Sequence, residues 1–389
     1  MSTTPSECRA PGNGARPGHA GLGAPVSAPL ARRLRMQHLD QFPLECGVVL
    51  RDVRQAYHLD GELNAARTNA VVVLHALTGS ADAAGDWWSE VIGPGRAIDT
   101  RHHAVLAPNL LGSCDGTAIG TTIGTTIGTT ADTSIAGADG ESPPLTTRDQ
   151  ARAVAELVRA LGIRGIALVT GGSLGGMVAL ELAVTFPRLV QRAVVFAAPA
   201  AHTAWAIGWN HVQRRALAVA GDGVALAREI AMLSYRSERE FAARFGRLRE
   251  EDGHFAVQSY LRHHGDKLER RFTAASYRAL TGAMDSHDVG RGREGVTAAL
   301  RRVRGLLVGV GITDDALYSE REVQAWTRAA DAEYRGISSV HGHDAFLLEQ
   351  AQVGAIIASA LATPIRGEHD RSDGRSAVFR SDGIAPGAA

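Results

Sequence analysis

The chain has 389 residues, 45% of them hydrophobic and 21% charged, a composition that can bury a large core and an active site. Lys+Arg and Asp+Glu are both 41, so the overall field provides neither a nucleic-acid footprint nor a funnel for acidic substrates. Lys267 is the only lysine, and its "GDKLE" setting suits neither a P-loop nor a pyridoxal Schiff base, which removes both classes.

Three cysteines, Cys8, Cys46 and Cys114, form no CxxC pair and are odd in number, as in a reduced compartment. No apolar run approaches the length that crosses a bilayer, and the N-terminus carries no h-region. A cytoplasmic protein with no membrane or nucleic-acid partner is expected.

In chain order, residues 1–36 are rich in Gly, Pro, Ala and Arg and poor in large apolar side chains, so they cannot repay the entropy of ordering and are read as a disordered tail. The same Arg-rich, acid-poor leader also fits a transit peptide, or a translation start at Met36. "NAVVVLHAL" (69–77) and "HAVLAPNLL" (103–111) are continuously apolar runs, which predicts strands buried on both faces. Residues 119–130 are three copies of "IGTT"; a period of four matches no solenoid, and the run is read as a long surface loop, with a phosphate cradle as the lesser alternative.

"TRDQARAVAELVRALGI" (147–163) places Val154, Leu157, Val158 and Leu161 at helical spacing. "GIALVTG" (165–171), "RAVVFAAPA" (192–200) and "GLLVGVG" (305–311) again predict strands. From 201 to 300 the pattern changes to long amphipathic stretches, which predicts a helical insertion. The alternation defines an α/β fold, a mostly parallel sheet with helices on both faces. Its core covers 37–200 and 301–363, the insertion lies between, and residues 364–389 form a second disordered tail.

Between the third run and the helix that follows it lies Gly171-Gly172-Ser173-Leu174-Gly175, a G-x-S-x-G in the strand-to-helix setting that gives the motif meaning. Glycine is needed there because side chains around so tight a turn collide, and the helix from about Leu174 directs backbone N–H groups and a positive dipole end at the serine. A serine hydroxyl needs a base and an acid to become a nucleophile. "GITDDALY" supplies Asp314 and Asp315, and "SSVHGHDAF" supplies His341 and His343, in the order Ser, Asp, His. Spacing does not choose within either pair, and the two histidines lack a third ligand for a metal, so no metal is expected.

Taken together, "NAVVVLHALTG", "IGPGRAIDT", "PNLLGSC", "VTGGSLGGMVALELA", "AIGWNHVQRRAL", "ALAREIAMLSYRSE", "SYLRHHGDKLERRF", "SHDVGRGR", "GITDDALYSE" and "GHDAFLLE" resemble the homoserine O-acetyltransferases, α/β-hydrolase-fold acyltransferases of methionine biosynthesis. The similarity runs from about Phe42 to about Glu349. It implies Ser173 as nucleophile, Asp315 as acid and His343 as base. It implies Arg228 and Tyr235 at the acceptor carboxylate, a group that arginine meets as a bidentate fork, and Asp344 at the acceptor amine. The fold places the oxyanion donors at the amides of Leu77 and Leu174, with His75 as a core or supporting histidine.

The resemblance also implies ping-pong acyl transfer from acetyl-CoA to L-homoserine with no bound cofactor, and a homodimer made through the helical insertion, which acts as a lid. The chain departs from the family pattern at "GSCDGTAIGTTIGTT", where "GGCYGSTGPSS" is usual, and at His341, where a tyrosine is usual. Those departures bear on acyl and acceptor choice, so succinyl-CoA as donor and serine as acceptor are the alternatives on the same site. A plain esterase or thioesterase, or a silent binding module on this fold, are the more distant ones.

Overall fold

A computed structural model of the chain describes residues 32–114, 118–120, 143–219 and 221–365. Most of the expected tails lie outside the described residues, as does the IGTT run beyond Gly120.

The strands are β1 (Arg35–Pro43), β2 (Val49–Asp60), β3 (Ala70–Leu74), β4 (Ile92–Gly93), β5 (Ile98–Asp99), β6 (Ala104–Pro108), β7 (Ala118–Gly120), β8 (Ile166–Gly172), β9 (Arg192–Phe196), β10 (Leu306–Ile312) and β11 (Glu333–Ile337). The helices are α1 (Thr147–Ala160), α2 (Leu174–Thr185), α3 (Ala204–Ala216), α4 (Gly223–Tyr235), α5 (Glu238–Arg244), α6 (Ala256–Glu269), α7 (Ala274–Asp285), α8 (Val296–Leu300), α9 (Glu320–Ala330), α10 (Ala345–Leu348) and α11 (Gln350–Ala362).

Among the described residues the main sheet runs β1-β2-β6-β3-β8-β9-β10-β11, with β7 also paired to β2. From β6 to β11 all neighbours are parallel, and β1 and β2 form an antiparallel hairpin whose second strand joins β6 antiparallel. The parallel strands β3, β6, β8, β9 and β10 carry no polar face because both faces are covered, whereas the edge strand β11 is partly exposed. Val72 and Leu74 of β3 and Ala193 and Val195 of β9 pack with α1, α2 and α9. Their alternating neighbours Val71, Val73, Val194 and Phe196 pack on the other side with Trp88 and with Val353 and Ile357 of α11.

Helix α2 is buried from Leu174 to Val184, as its apolar circumference requires. Its one charge, Glu181, is held by Arg148 of α1 at 2.8 Å and by Arg293 at 2.6 Å. An unpaired buried carboxylate would be costly, so these two arginines are what permit it.

Among the described residues six helices, α3 to α8, separate β9 from β10. Helices α4 and α6 cross closely: a Cβ on Gly265 would lie 2.9 Å from the Ala225 carbonyl oxygen.

Three expectations change at their edges. Strand β1 begins at Arg35, inside the stretch read as tail, and Ala118–Gly120 is strand where a loop was expected from residue 119. The runs at 69–77, 103–111 and 192–200 end sooner as strands, at Leu74, Pro108 and Phe196. In each of these three runs the apolar residues continue, largely buried, into loops beyond the carboxyl ends of the strands. Among the described residues no single helix is long and apolar enough to cross a membrane.

Candidate active site

Strand β8 ends in Gly171-Gly172, and Ser173 then turns the chain with φ 56° and ψ −124° into α2. A non-glycine residue held there stores about 1–3 kcal/mol and persists only if its surroundings fix it. Its N–H donates to the Phe196 carbonyl at 3.0 Å and its carbonyl accepts from Met177 N–H at 2.9 Å. The side chain is 5% exposed and does not cap the helix, so its oxygen remains available. The flanking glycines leave no room: a Cβ on Gly172 would sit 2.3 Å from the Phe346 ring, and one on Gly175 2.1 Å from the Leu74 carbonyl oxygen. The second contact lays the start of α2 against the end of β3, from which the chain continues through His75 to Leu77.

The segment carrying Leu77 is held rigidly. The buried His75 ring donates from Nδ1 to the Ala76 carbonyl at 2.8 Å and accepts at Nε2 from Leu110 N–H at 3.0 Å. Burial pushes its pKa down to about 4, so it stays neutral and keeps that tautomer. Gly79 N–H closes a turn on the Ala76 carbonyl, and Asn109 Oδ1 accepts from Ala81 N–H at 2.6 Å while its Nδ2 reaches the Cys114 carbonyl.

The loops after β10 and β11 bring an acid to an imidazole. His343 Nδ1 lies 2.8 Å from Asp315 Oδ2, and Asp315 Oδ1 accepts from the N–H groups of Leu317 at 2.8 Å and Tyr318 at 2.9 Å. With both carboxylate oxygens engaged, the acid cannot rotate away from the ring. Burial pulls the His343 imidazolium down, but Asp315, by charge and hydrogen bond, and the charge of Asp344 outweigh it, so its pKa lies above the ordinary histidine value of 6.5. His343 Nε2 is buried and has no hydrogen-bond partner among the described residues, the Ser173 hydroxyl included. Tyr235, Tyr318 and Phe346 surround the ring, with centroids 5.7, 5.3 and 5.6 Å away.

The neighbouring members of each pair go elsewhere. Asp314, with φ 61°, turns outward and meets Arg239 at 2.9 Å. His341 meets Glu240 at 3.3 Å.

Arg228 and Tyr235 stand seven residues apart on one face of α4, two turns along it, and the Arg228 guanidinium lies 5.3 Å from the Tyr235 ring centroid. Arg228 Nη1 also reaches Thr78 Oγ1 at 3.4 Å, beside Leu77. Burial raises the Tyr235 phenol to about 12, so it remains protonated. Asp344 is paired with Arg236 Nε at 3.2 Å, and Arg236 also contacts Glu240 at 3.3 Å.

Several neighbours escaped sequence reasoning. Arg236 is one of many arginines on amphipathic helices, and nothing in its spacing singles it out. Thr78, which Arg271 also grips through its carbonyl at 2.7 Å, and Asn109 lie inside the quoted "HALTG" and "PNLLGSC" stretches, but their roles depend on contacts between distant segments.

Fold, the strand-to-helix turn at Ser173 and the Asp–His pair define the class: an enzyme of the α/β-hydrolase fold. A family model described as alpha/beta hydrolase fold matches residues 69–265. The chain is 43% identical over 347 residues to the homoserine O-acetyltransferase of Thermus thermophilus, covering 81% of this chain and 88% of that protein. It superposes on the crystal structure of homoserine O-acetyltransferase from Staphylococcus aureus with TM-score 0.71 and 28% identity, over 87% of this chain and 98% of the other. An acetylester hydrolase from Corynebacterium glutamicum shares the fold, with TM-score 0.72 and 21% identity over 85% of this chain and 96% of the other. The chain belongs to the homoserine O-acetyltransferase family and is an acyltransferase.

Proposed function

We propose that this protein transfers an acetyl group from acetyl-CoA to the hydroxyl of L-homoserine, as a cytoplasmic step of methionine biosynthesis, through a covalent intermediate on Ser173. The observation that carries the chemistry is the buried Asp315–His343 pair with a free Nε2. His343 Nε2 takes the Ser173 proton as the serine oxygen attacks the thioester carbon. The N–H groups of Leu77 and Leu174 receive the tetrahedral oxyanion, and its collapse expels the coenzyme A thiolate, which takes the proton from His343. The same nitrogen then accepts the homoserine hydroxyl proton as that oxygen attacks the acyl carbon. Collapse returns the proton to Ser173 and releases O-acetyl-L-homoserine.

For transfer to outrun hydrolysis, the amino acid must be held where water would attack. Arg228 offers its guanidinium to the carboxylate, with Tyr235 beside it. The Asp344–Arg236 pair offers a carboxylate to the ammonium while staying neutral overall. Helices α3 to α8 serve as the lid over this chamber. Trp205, 59% exposed, and Val212, 48% exposed, stand two turns apart on α3 as apolar side chains uncovered in the single chain, which supports a homodimer through the lid.

Incubation with acetyl-CoA or succinyl-CoA, read by intact mass, then discharge with homoserine, serine or water, tests this function. Acetyl loading discharged by homoserine is expected. Loading by succinyl-CoA alone, or discharge by water as fast as by homoserine, would overturn it.

A further inference from the structure

Where the chain leaves the sheet after β9 and where it returns before α8, the two segments are stitched into a stem. Val289 N–H donates to the Ala200 carbonyl at 3.0 Å, His202 N–H donates to the His287 carbonyl at 2.8 Å, and Ala201 and Asp288 form an antiparallel bridge. The helical insertion therefore hangs from residues 200–202 and 287–289.

Within this stem the His202 side chain is wholly buried and has one neighbour on each nitrogen. Nε2 lies 2.8 Å from Tyr318 Oη, and Nδ1, which makes no hydrogen bond, faces Asp285 Oδ1 at 3.4 Å, at the end of α7. Asp285 also receives Asn210 Nδ2 at 2.8 Å and Arg214 from α3. Burial pushes its carboxyl up, but His202, Asn210 and Arg214 together hold it below the usual range, so it is ionised. A carboxylate beside Nδ1 favours the ring proton there, leaving Nε2 as the acceptor for the Tyr318 hydroxyl.

Tyr318 touches both halves of the reactive pair. Its N–H donates to Asp315 Oδ1 at 2.9 Å, and its ring meets the His343 imidazole edge to face at 5.3 Å. It is fully buried, and its hydroxyl is anchored on the stem.

We propose that Tyr318 and His202 are positioning residues through which the stem of the helical insertion holds Asp315 and His343 in register with Ser173, so that lid placement and nucleophile activation are coupled. This rests on the serine-nucleophile reading above. The competing account is a buried tyrosine whose hydroxyl merely found a partner, with consequences for stability alone.

Tyr318→Phe separates the two, because it keeps the backbone N–H and the ring against His343 and removes only the anchor. The probe is a fluorophosphonate, which reacts with an activated serine and needs neither coenzyme A nor amino acid. Wild-type protein is expected to label at Ser173. Tyr318→Phe should label about tenfold more slowly, since small misplacements at a reacting centre can cost even more than that, while its melting temperature moves little. His202→Ala should slow labelling equally, His202→Gln should restore most of the rate by accepting the hydroxyl proton at Oε1, and the double variant should be no slower than either single one. Labelling of Tyr318→Phe at the wild-type rate, or two single effects that multiply in the double variant, would overturn the coupling alone. A wild type that does not label would remove the nucleophile, and the coupling with it.

Discussion

Gly175, the second residue of α2, lies so close to the carbonyl of Leu74, the last residue of β3, that a methyl group on it would sit 2.1 Å from the oxygen. This approach brings the helix that follows Ser173 against the segment that leads to Leu77, and it is the close contact from which the rest of the site is arranged.

Gly172 and Gly175 should therefore respond differently to alanine. At Gly172 the obstacle is the Phe346 ring, a side chain that a second mutation can shorten. Gly172→Ala is expected to cost about 1–3 kcal/mol in urea denaturation, and Phe346→Leu should recover part of it. At Gly175 the obstacle is backbone, so no side-chain replacement should rescue Gly175→Ala. Equal rescue at both positions would contradict this account.

The His343–Asp315 pair predicts the acid limb of the rate profile. His343 acts as a base only when neutral, and its pKa is raised above 6.5. Acylation should thus decline as pH falls through a value above 6.5, and Asp315→Asn should move that limb downward. The same variant should slow acylation by about 10⁴-fold through loss of the carboxylate and the correct tautomer. Stopped-flow acylation across pH measures both, and an unmoved limb in Asp315→Asn would exclude the pair as its source.

Arg228 is assigned to the second half-reaction. Removing a hydrogen bond to a charged group costs about 1.5–3 kcal/mol, so Arg228→Ala should weaken kcat/KM for discharge by homoserine by about tenfold to a hundredfold. Its rate of acyl-enzyme formation should stay near wild type. If acylation falls as far as discharge, the guanidinium is shaping the chamber, not holding the acceptor.

Two fully buried histidines, His75 behind the Leu77 segment and His287 at the insertion stem, contribute to acid stability. Burial depresses His75 and His287 from 6.5 to about 4. The unfolded chain then binds protons that the folded chain refuses, so the stability they confer is complete above pH 6.5 and is lost as pH falls toward 4. Each contributes a slope of about 1.4 kcal/mol per pH unit in that window. His287→Gln should remove one of the two contributions in urea melts between pH 6.5 and 4, and an unchanged slope would count against it.

What the sequence determined by itself is what depends on neighbours in the chain. The glycines around Ser173 act within a few residues of the turn, and the buried parallel strands announce themselves because covering both faces demands uninterrupted apolar runs. The β1–β2 hairpin and β11 escaped because they are partly exposed and carry mixed polar residues, so no such run marks them. By spacing alone Asp314 and Asp315 were equivalent. The tertiary structure separates them because the positive φ at Asp314 turns one carboxylate outward to Arg239 and leaves the other on His343. The tertiary structure alone also decided that Asp344 shares its charge with Arg236, and that His202 joins the insertion stem to Tyr318. These contacts join segments from tens of residues to more than a hundred apart, and distance along a chain carries no record of which side chains folding will bring within a hydrogen bond.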